Sequence, residues 1–267
     1  MAYWQSLRGL SPPIPIREFR GVYKPDDQGF EFPETYAIDI KNFTSSAYPA
    51  LATRPGFSLI GSAFPAKILG LGVWKDTELH AISNGQWSKW NGSSWVSLLS
   101  GLNANAEWSF CNFQGNLGAI NLIAANGTDP IKRYDGTSVQ NLSGAPSGGN
   151  FIEQHDNRLY CAVGNSVKYS ALRKATDWTT ANDAGEIVVE TNNGETINGL
   201  RAGNGHITVF KPSSIHELYG TGPSNFRLEV VAEDIGVVNN KSIVNLGGVL
   251  YFLDDTGIYV YSGGLRP

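Results

Sequence analysis

One pattern recurs along this chain at intervals that few architectures tolerate: a β-rich run, a tight turn carrying Gly, Asn or Asp, a second run, and an aromatic strand that ends in another turn. One copy runs from Lys67 to Leu98 and a second from Ala106 to Leu142. Their tails align, with Lys89-Trp90-Asn91-Gly92-Ser93-Ser94-Trp95 falling on Arg133-Tyr134-Asp135-Gly136-Thr137-Ser138-Val139. Such a tail predicts a hairpin, its Asn-Gly or Asp-Gly supplying the left-handed backbone of a type I′ turn. A third copy spans residues 150–180, turning at Asp156-Asn157 and Gly164-Asn165. A fourth, 194–220, turns at Gly203-Asn204-Gly205, and a fifth, 241–264, turns at Gly247-Gly248 and again from Asp254 to Gly257. The last aromatics of the copies are Trp90, Tyr134, Tyr169, Tyr219 and Tyr261, spaced 35 to 50 residues apart. That spacing brackets the ~40 to 50 residues of a propeller blade.

A lone sheet of three or four strands has two faces to bury and only neighbouring sheets to cover them, so such units stack radially. In residues 205–210 and 257–261 apolar and aromatic side chains crowd both strand phases, as in strands sandwiched between sheets. The predicted fold is therefore all-β: a β-propeller of about five to six blades over residues 67–267, with tandem β-sandwiches as the alternative. Composition agrees, because 31 Gly with 7 Trp, 11 Tyr and 12 Phe describe short aromatic strands joined by tight turns. Residues 1–66 differ. Eight prolines, Pro12, Pro13, Pro15, Pro25, Pro33, Pro49, Pro55 and Pro65, suit an extended arm or strapping segment better than regular sheet. A short amphipathic stretch from Glu34 to Asn42 is its helical candidate. The ring is expected to close through strands of this arm or to be cut short at the C-terminus.

The formal charge of -4 argues against a protein that grips phosphates through Lys and Arg. No apolar run reaches the roughly 20 residues of a membrane-spanning helix, and the start MAYWQSLRGLSPP lacks the build of a signal peptide, so a cytoplasmic start without membrane insertion is expected. Cys111 and Cys161 lie in apolar runs and read as buried thiols. His80, His155, His206 and His216 are dispersed without metal-ligand spacing and read as core or surface residues. Asp26-Asp27 and Asp254-Asp255 each precede a Gly, the ordinary use of Asp in a turn. The Gly-rich stretches at 203–205 and 220–222 lack the Lys of a phosphate cradle, and neither a Gly-x-Ser-x-Gly elbow nor the sialidase Ser-x-Asp-x-Gly-x-x-Trp signature occurs. No enzyme, cofactor or metal is expected. Trp87, Trp90 and Trp95 cluster in one hairpin; cross-strand packing of Trp87 and Trp95 is the favoured reading, and stacking on sugar rings, hence a glycan-binding adhesion propeller, the rival one.

Two stretches resemble a known family. Phe19-Arg20-Gly21-Val22, residues 32–43 and Leu51-Ala52-Thr53-Arg54-Pro55-Gly56-Phe57 resemble the opening of bacteriophage virion propeller proteins, and Asp234 to Ile243 with Leu250-Tyr251-Phe252-Leu253 and Gly257 to Tyr261 is similar to a blade of the same proteins. These include tail-nozzle, tail-tube and packaged-DNA-stabilisation subunits. The Arg54-Pro55-Gly56 element is the most distinctive part, and the Asn expected after Gly21 is absent. The resemblance implies a structural protein of the virion tail, made in the host cytoplasm. Its copies would form a homo-oligomeric ring about the tail channel, beside portal, adaptor or other tail proteins, through which genomic double-stranded DNA passes without sequence-specific binding. Arg54, Pro55, Gly56, Phe57, Phe19 and Tyr36 are then the expected inter-subunit contacts.

Overall fold

A computed structural model describes residues 18–22, 35–37, 39–44, 46–190 and 194–263. The chain divides into two units, residues 1–59 and 60–267, so residues 60–66 belong with the repeats and not with the arm.

In the first unit β1 (Gly21–Val22) pairs in parallel with β2 (Tyr36–Ala37), and β3 (Phe43–Thr44) pairs antiparallel with β4 (Ala52–Thr53). The helix expected from Glu34 to Asn42 does not form among the described residues: Tyr36 and Ala37 are strand, and Asn42 turns through a left-handed φ of 63°. Its carbonyl accepts from Arg54 N at 2.8 Å, which ties the Arg54-Pro55-Gly56 segment to the β3–β4 pair.

The second unit is a five-bladed propeller arrangement. Blade 1 holds β5 (Ile68–Trp74), β6 (Glu78–Ser83), β7 (Gln86–Trp90) and β8 (Trp95–Leu99). Blade 2 holds β9 (Ser109–Phe113), β10 (Asn121–Ala125), β11 (Lys132–Tyr134) and β12 (Val139–Asn141). Blade 3 holds β13 (Phe151–His155), β14 (Arg158–Val163), β15 (Ser166–Tyr169) and β16 (Gly185–Val188). Blade 4 holds β17 (Gly199–Ala202), β18 (Ile207–Phe210), β19 (Ile215–Tyr219) and β20 (Arg227–Ala232). Blade 5 has three strands, β21 (Val244–Leu246), β22 (Val249–Asp254) and β23 (Gly257–Tyr261). Every blade is an antiparallel meander in chain order. The aromatic markers Trp90, Tyr134, Tyr169, Tyr219 and Tyr261 are each the last residue of a third strand.

Turn chemistry sets this register. Asp156-Asn157 and Gly247-Gly248 both take left-handed φ at consecutive residues, as type I′ turns require. The expected I′ turns at Asn91-Gly92 and Asp135-Gly136 are corrected. Only the Gly is left-handed there, and the side chain before it caps a wider loop: Asn91 Oδ1 accepts from Ser93 N and Ser94 N, and Asp135 Oδ1 from Thr137 N and Ser138 N. A short polar side chain that mimics a backbone turn explains why Asn and Asp interchange between the two copies.

Successive blades are cemented by four hydrophobic cores. Trp87, Trp108, Leu122 and Tyr134 join blades 1 and 2; Cys111, Ile123, Ile152 and Cys161 join blades 2 and 3; Tyr160, Val167, Leu200 and Val209 join blades 3 and 4; Phe210, Ile215, Leu250 and Phe252 join blades 4 and 5. Gly70 and Gly72 let β5 approach blade 2, since a methyl group at either position would come within 2.8 Å of Trp108 or Phe110. Strand β18 is buried throughout, as its two-phase pattern predicts, whereas β23 alternates and leaves Ile258 and Val260 in water.

Candidate functional site

Three clusters of titratable side chains lie at junctions between successive blades. At the junction of blades 1 and 2, His80 is wholly buried on β6, and its Nδ1 accepts from Trp87 Nε1 at 2.9 Å. That contact leaves the ring proton on Nε2, which lies 3.0 Å from Glu78 Oε1. Lys89 Nζ bridges Glu78 Oε2 at 3.0 Å and Tyr134 OH at 2.9 Å, and Tyr134 OH donates to Gly136 O at 2.8 Å. Burial lowers the His80 pKa against the opposing pull of Glu78. Burial works against the Glu78 carboxylate too, but the hydrogen bond and charge of Lys89, with Tyr134 close by, outweigh it and hold Glu78 below its usual range.

The junction of blades 4 and 5 uses the same third-strand tyrosine on a different partner. Glu217 and His206 are both buried, with His206 Nε2 3.0 Å from Glu217 Oε1. Tyr219 OH donates to Glu217 Oε2 at 2.5 Å, and Tyr261 OH, arriving from blade 5, donates to Oε1. Burial first, then the bond to Glu217, raises the Tyr261 pKa. Between blades 3 and 4 the buried Arg158 donates to Ser170 O, Asp183 O and Thr221 O and pairs with Asp183 Oδ2 at 2.5 Å.

Charged side chains also gather in and just before the first strands of the blades. Glu107 lies 2.9 Å from Lys67 Nζ and 3.1 Å from Lys241 Nζ, joining segments that lead into blades 1, 2 and 5. Glu153 and Arg201 sit 3.8 Å apart, and burial raises the pKa of the one and lowers that of the other. A cavity of about 510 Å³ opens beside them, lined also by Leu71, Phe110, Asn240 and Lys241. A cleft of about 640 Å³ elsewhere is lined by Lys211, Ser214, His216, Glu233 and Asp234. There Ser214 Oγ lies 3.0 Å from His216 Nε2, and among the described residues no hydrogen-bond partner orients His216 Nδ1.

The residues singled out from sequence separate. Trp87 is removed from the glycan candidates: it is wholly buried against Trp108 and Phe110 and has no face for a sugar. The cross-strand pair is not Trp87 with Trp95 but Trp90 with Trp95, ring centroids 5.5 Å apart, because Trp87 registers with Leu99 instead. Trp95 also meets Phe64 at 4.9 Å and donates to Ile60 O, so Trp90 and Trp95 are held in packing. In the first unit Arg54, Pro55, Gly56 and Phe57 form one exposed stretch, the Arg54 guanidinium 4.1 Å above the Phe57 ring. Phe19 lines a groove of about 580 Å³ with Phe43, Pro49 and Leu51, and Tyr36 is half-buried in β2. Cys111 and Cys161 share one core, where burial pushes both thiols up, Cys161 to about 12. Asp254 accepts from Gly236 N and from Thr256, a turn role; Asp26 and Asp27 lie outside the described residues. Sequence reasoning missed Glu217, Arg158 and Glu153, for which the only signal was a charged residue inside an apolar strand.

No protein-family profile and no curated protein sequence matches the chain. Solved structures do. The extracellular domain of the putative hybrid two component system BT4673 from B. thetaiotaomicron superposes with a TM-score of 0.55 at 14% identity, over 84% of this chain and 30% of that one. BBS1N in complex with ARL6DN gives 0.54 at 11%, over 79% and 70%. The computationally designed Ika8 protein gives 0.51 at 12%, over 75% and 60%. The fold is a β-propeller. At these identities the likeness carries nothing beyond the fold, and the chain spans under a third of the length of the BT4673 domain.

Proposed function

We propose that this propeller is a structural subunit of a bacteriophage tail, of the nozzle, tube or packaged-DNA-stabilisation type, arranged as a ring of copies about the tail channel. The observation that carries the reading is the Arg54-Pro55-Gly56-Phe57 segment, whose sequence resembles that family and whose apolar side chains stand in water, Phe57 at 82% exposure and Leu59 at 79%. Neighbouring apolar side chains left bare in this way offer a surface that another chain can cover. Portal, adaptor or other tail proteins are the partners of such a subunit. A formal charge of -4 suits a channel through which DNA slides without adhering. The role is architectural and not catalytic, and the glycan-binding alternative is less favoured, since Trp90 and Trp95 already occupy one another.

Imaging of the native assembly by cryo-electron microscopy tests the reading: density for this chain is expected as a ring on the tail axis. Arg54→Ala with Phe57→Ser is expected to block incorporation into particles while leaving the propeller folded. Full incorporation of that variant, or a free monomer in the native source, would falsify the proposal.

A further inference from the structure

The cleft of about 640 Å³ lies between blades 3 and 4, walled by Glu190 beyond β16, by the β18–β19 turn and by Glu233 and Asp234 beyond β20. Its cation and one of its hydroxyls are already engaged. Lys211 Nζ donates to Val189 O at 2.5 Å, and Ser213 Oγ bonds the Glu195 carboxylate. The acids on the rim are not: among the described residues Glu190, Glu233 and Asp234 have no hydrogen bond and no ion pair.

His216 forms the floor. Strand β19 turns Ile215 and Glu217 toward blade 5 and His216 and Leu218 toward blade 3, so the imidazole, only 2% exposed, sits under the cleft. Its Nε2 lies 3.0 Å from Ser214 Oγ, and its Nδ1 has no hydrogen-bond partner among the described residues. A buried nitrogen without a partner is uncommon in a folded chain and marks a set that another molecule completes. Burial first, then the Lys211 charge, lowers the His216 pKa against the pull of Glu233, which favours a neutral ring. With Nε2–H donating to Ser214, Nδ1 offers a lone pair.

Three carboxylates and an imidazole nitrogen are all acceptors, and one pinned lysine leaves the lining negative. The occupant therefore carries donors and positive charge. Among the described residues no three His, Cys, Asp or Glu side chains stand close enough to hold one metal ion, and the volume is that of a small organic molecule. Val230, paired across the sheet with His216 and 53% exposed, gives the same cleft an apolar wall on which methylene groups can lie.

We propose that this cleft binds a linear organic polycation of the di- or triamine class, with ammonium groups on Glu190 and on Glu233 and Asp234, one N–H on His216 Nδ1 and the alkyl stem on Val230. The inference stands on the cleft alone and is independent of the tail reading.

The test is calorimetric titration of the full chain with spermidine at low salt, where one site is expected. Glu233→Gln combined with Asp234→Asn should weaken binding at least ~10-fold, and Glu190→Gln should add to the loss. All three positions are exposed, so circular dichroism and the thermal midpoint should stay in place. Asp76→Asn combined with Asp255→Asn removes the same charge at exposed turns outside the cleft and should leave the affinity within about two-fold. If the acidic variant misfolds, the wild-type chain decides alone: the His216 Nδ1 resonance should move on titration with spermidine, and one that stays still overturns the proposal. So do an absence of binding at millimolar spermidine, equal losses from the two double variants, and a site that takes Mg²⁺ in preference to the amine.

Discussion

The junctions between blades 1 and 2 and between blades 4 and 5 are built to one plan with different chemistry. In both, a tyrosine at the end of a third strand crosses to the preceding blade and meets a glutamate-histidine pair. At the first junction Tyr134 reaches the carboxylate through Lys89, and Glu78 remains partly in water. At the other, Tyr261 binds Glu217 directly, and the carboxylate is sealed from solvent with phenols on both oxygens. What the repeat conserves is a location where one blade can hold the next. Which groups hold it depends on depth: near the surface a charge pair can be hydrated, whereas a buried carboxylate has to be satisfied completely.

The contrast predicts unequal costs. Glu217→Ala is expected to remove about 3 to 5 kcal/mol of stability in urea unfolding, because it strips a buried network of its central acceptor. Glu78→Ala, at a half-hydrated pair, should cost about 1 kcal/mol or less. Equal losses would break the distinction between the two junctions. Between the two in size comes Tyr261→Phe, which deletes one hydrogen bond to a charged group and should cost roughly 1.5 to 3 kcal/mol. Its effect should be local, with hydrogen exchange accelerating in β22 and β23 before the rest of the propeller. Tyr134→Phe, whose partners keep each other, should cost about 1 kcal/mol.

This plan was half legible in the sequence. The five marker aromatics found the third strands because turn residues and strand length fix where a meander reverses, and that chemistry is local. Side-chain depth is not local. Three tryptophans in one hairpin look equivalent until register sends Trp87 into the blade 1–blade 2 core and pairs Trp90 with Trp95. Glu78 and His80 stand two residues apart and could have been noticed as neighbours on one strand face, whereas Glu217 and His206 meet only because β18 and β19 pair with Thr208 opposite Glu217. Strand β23 reads as doubly covered, since Ile-Tyr-Val-Tyr is apolar in both phases. One phase packs on blade 4 and the other is bare, a difference that resides in the neighbours and not in the strand.

The smallest effect, and the sharpest discriminator between the junctions, is the response to pH. Burial depresses the folded pKa of His80, so below the unfolded value near 6.5 the unfolded chain binds the proton more readily and stability falls as the pH is lowered. His155 and His216, lowered by burial as well, add to the same slope. Tyr261 acts at the other end. Its folded pKa is raised, so stability is intact below the unfolded value near 10 and declines above it as the unfolded phenol ionises first. His80→Gln should therefore flatten part of the decline between pH 7 and 5 without altering the alkaline limb, and Tyr261→Phe should do the reverse. Urea midpoints measured across the pH range check both. If His80→Gln leaves the acid slope unchanged, the ring is already protonated against Glu78, and the blade 1–blade 2 junction is an ion pair like any surface one rather than a neutral imidazole fixed by Trp87.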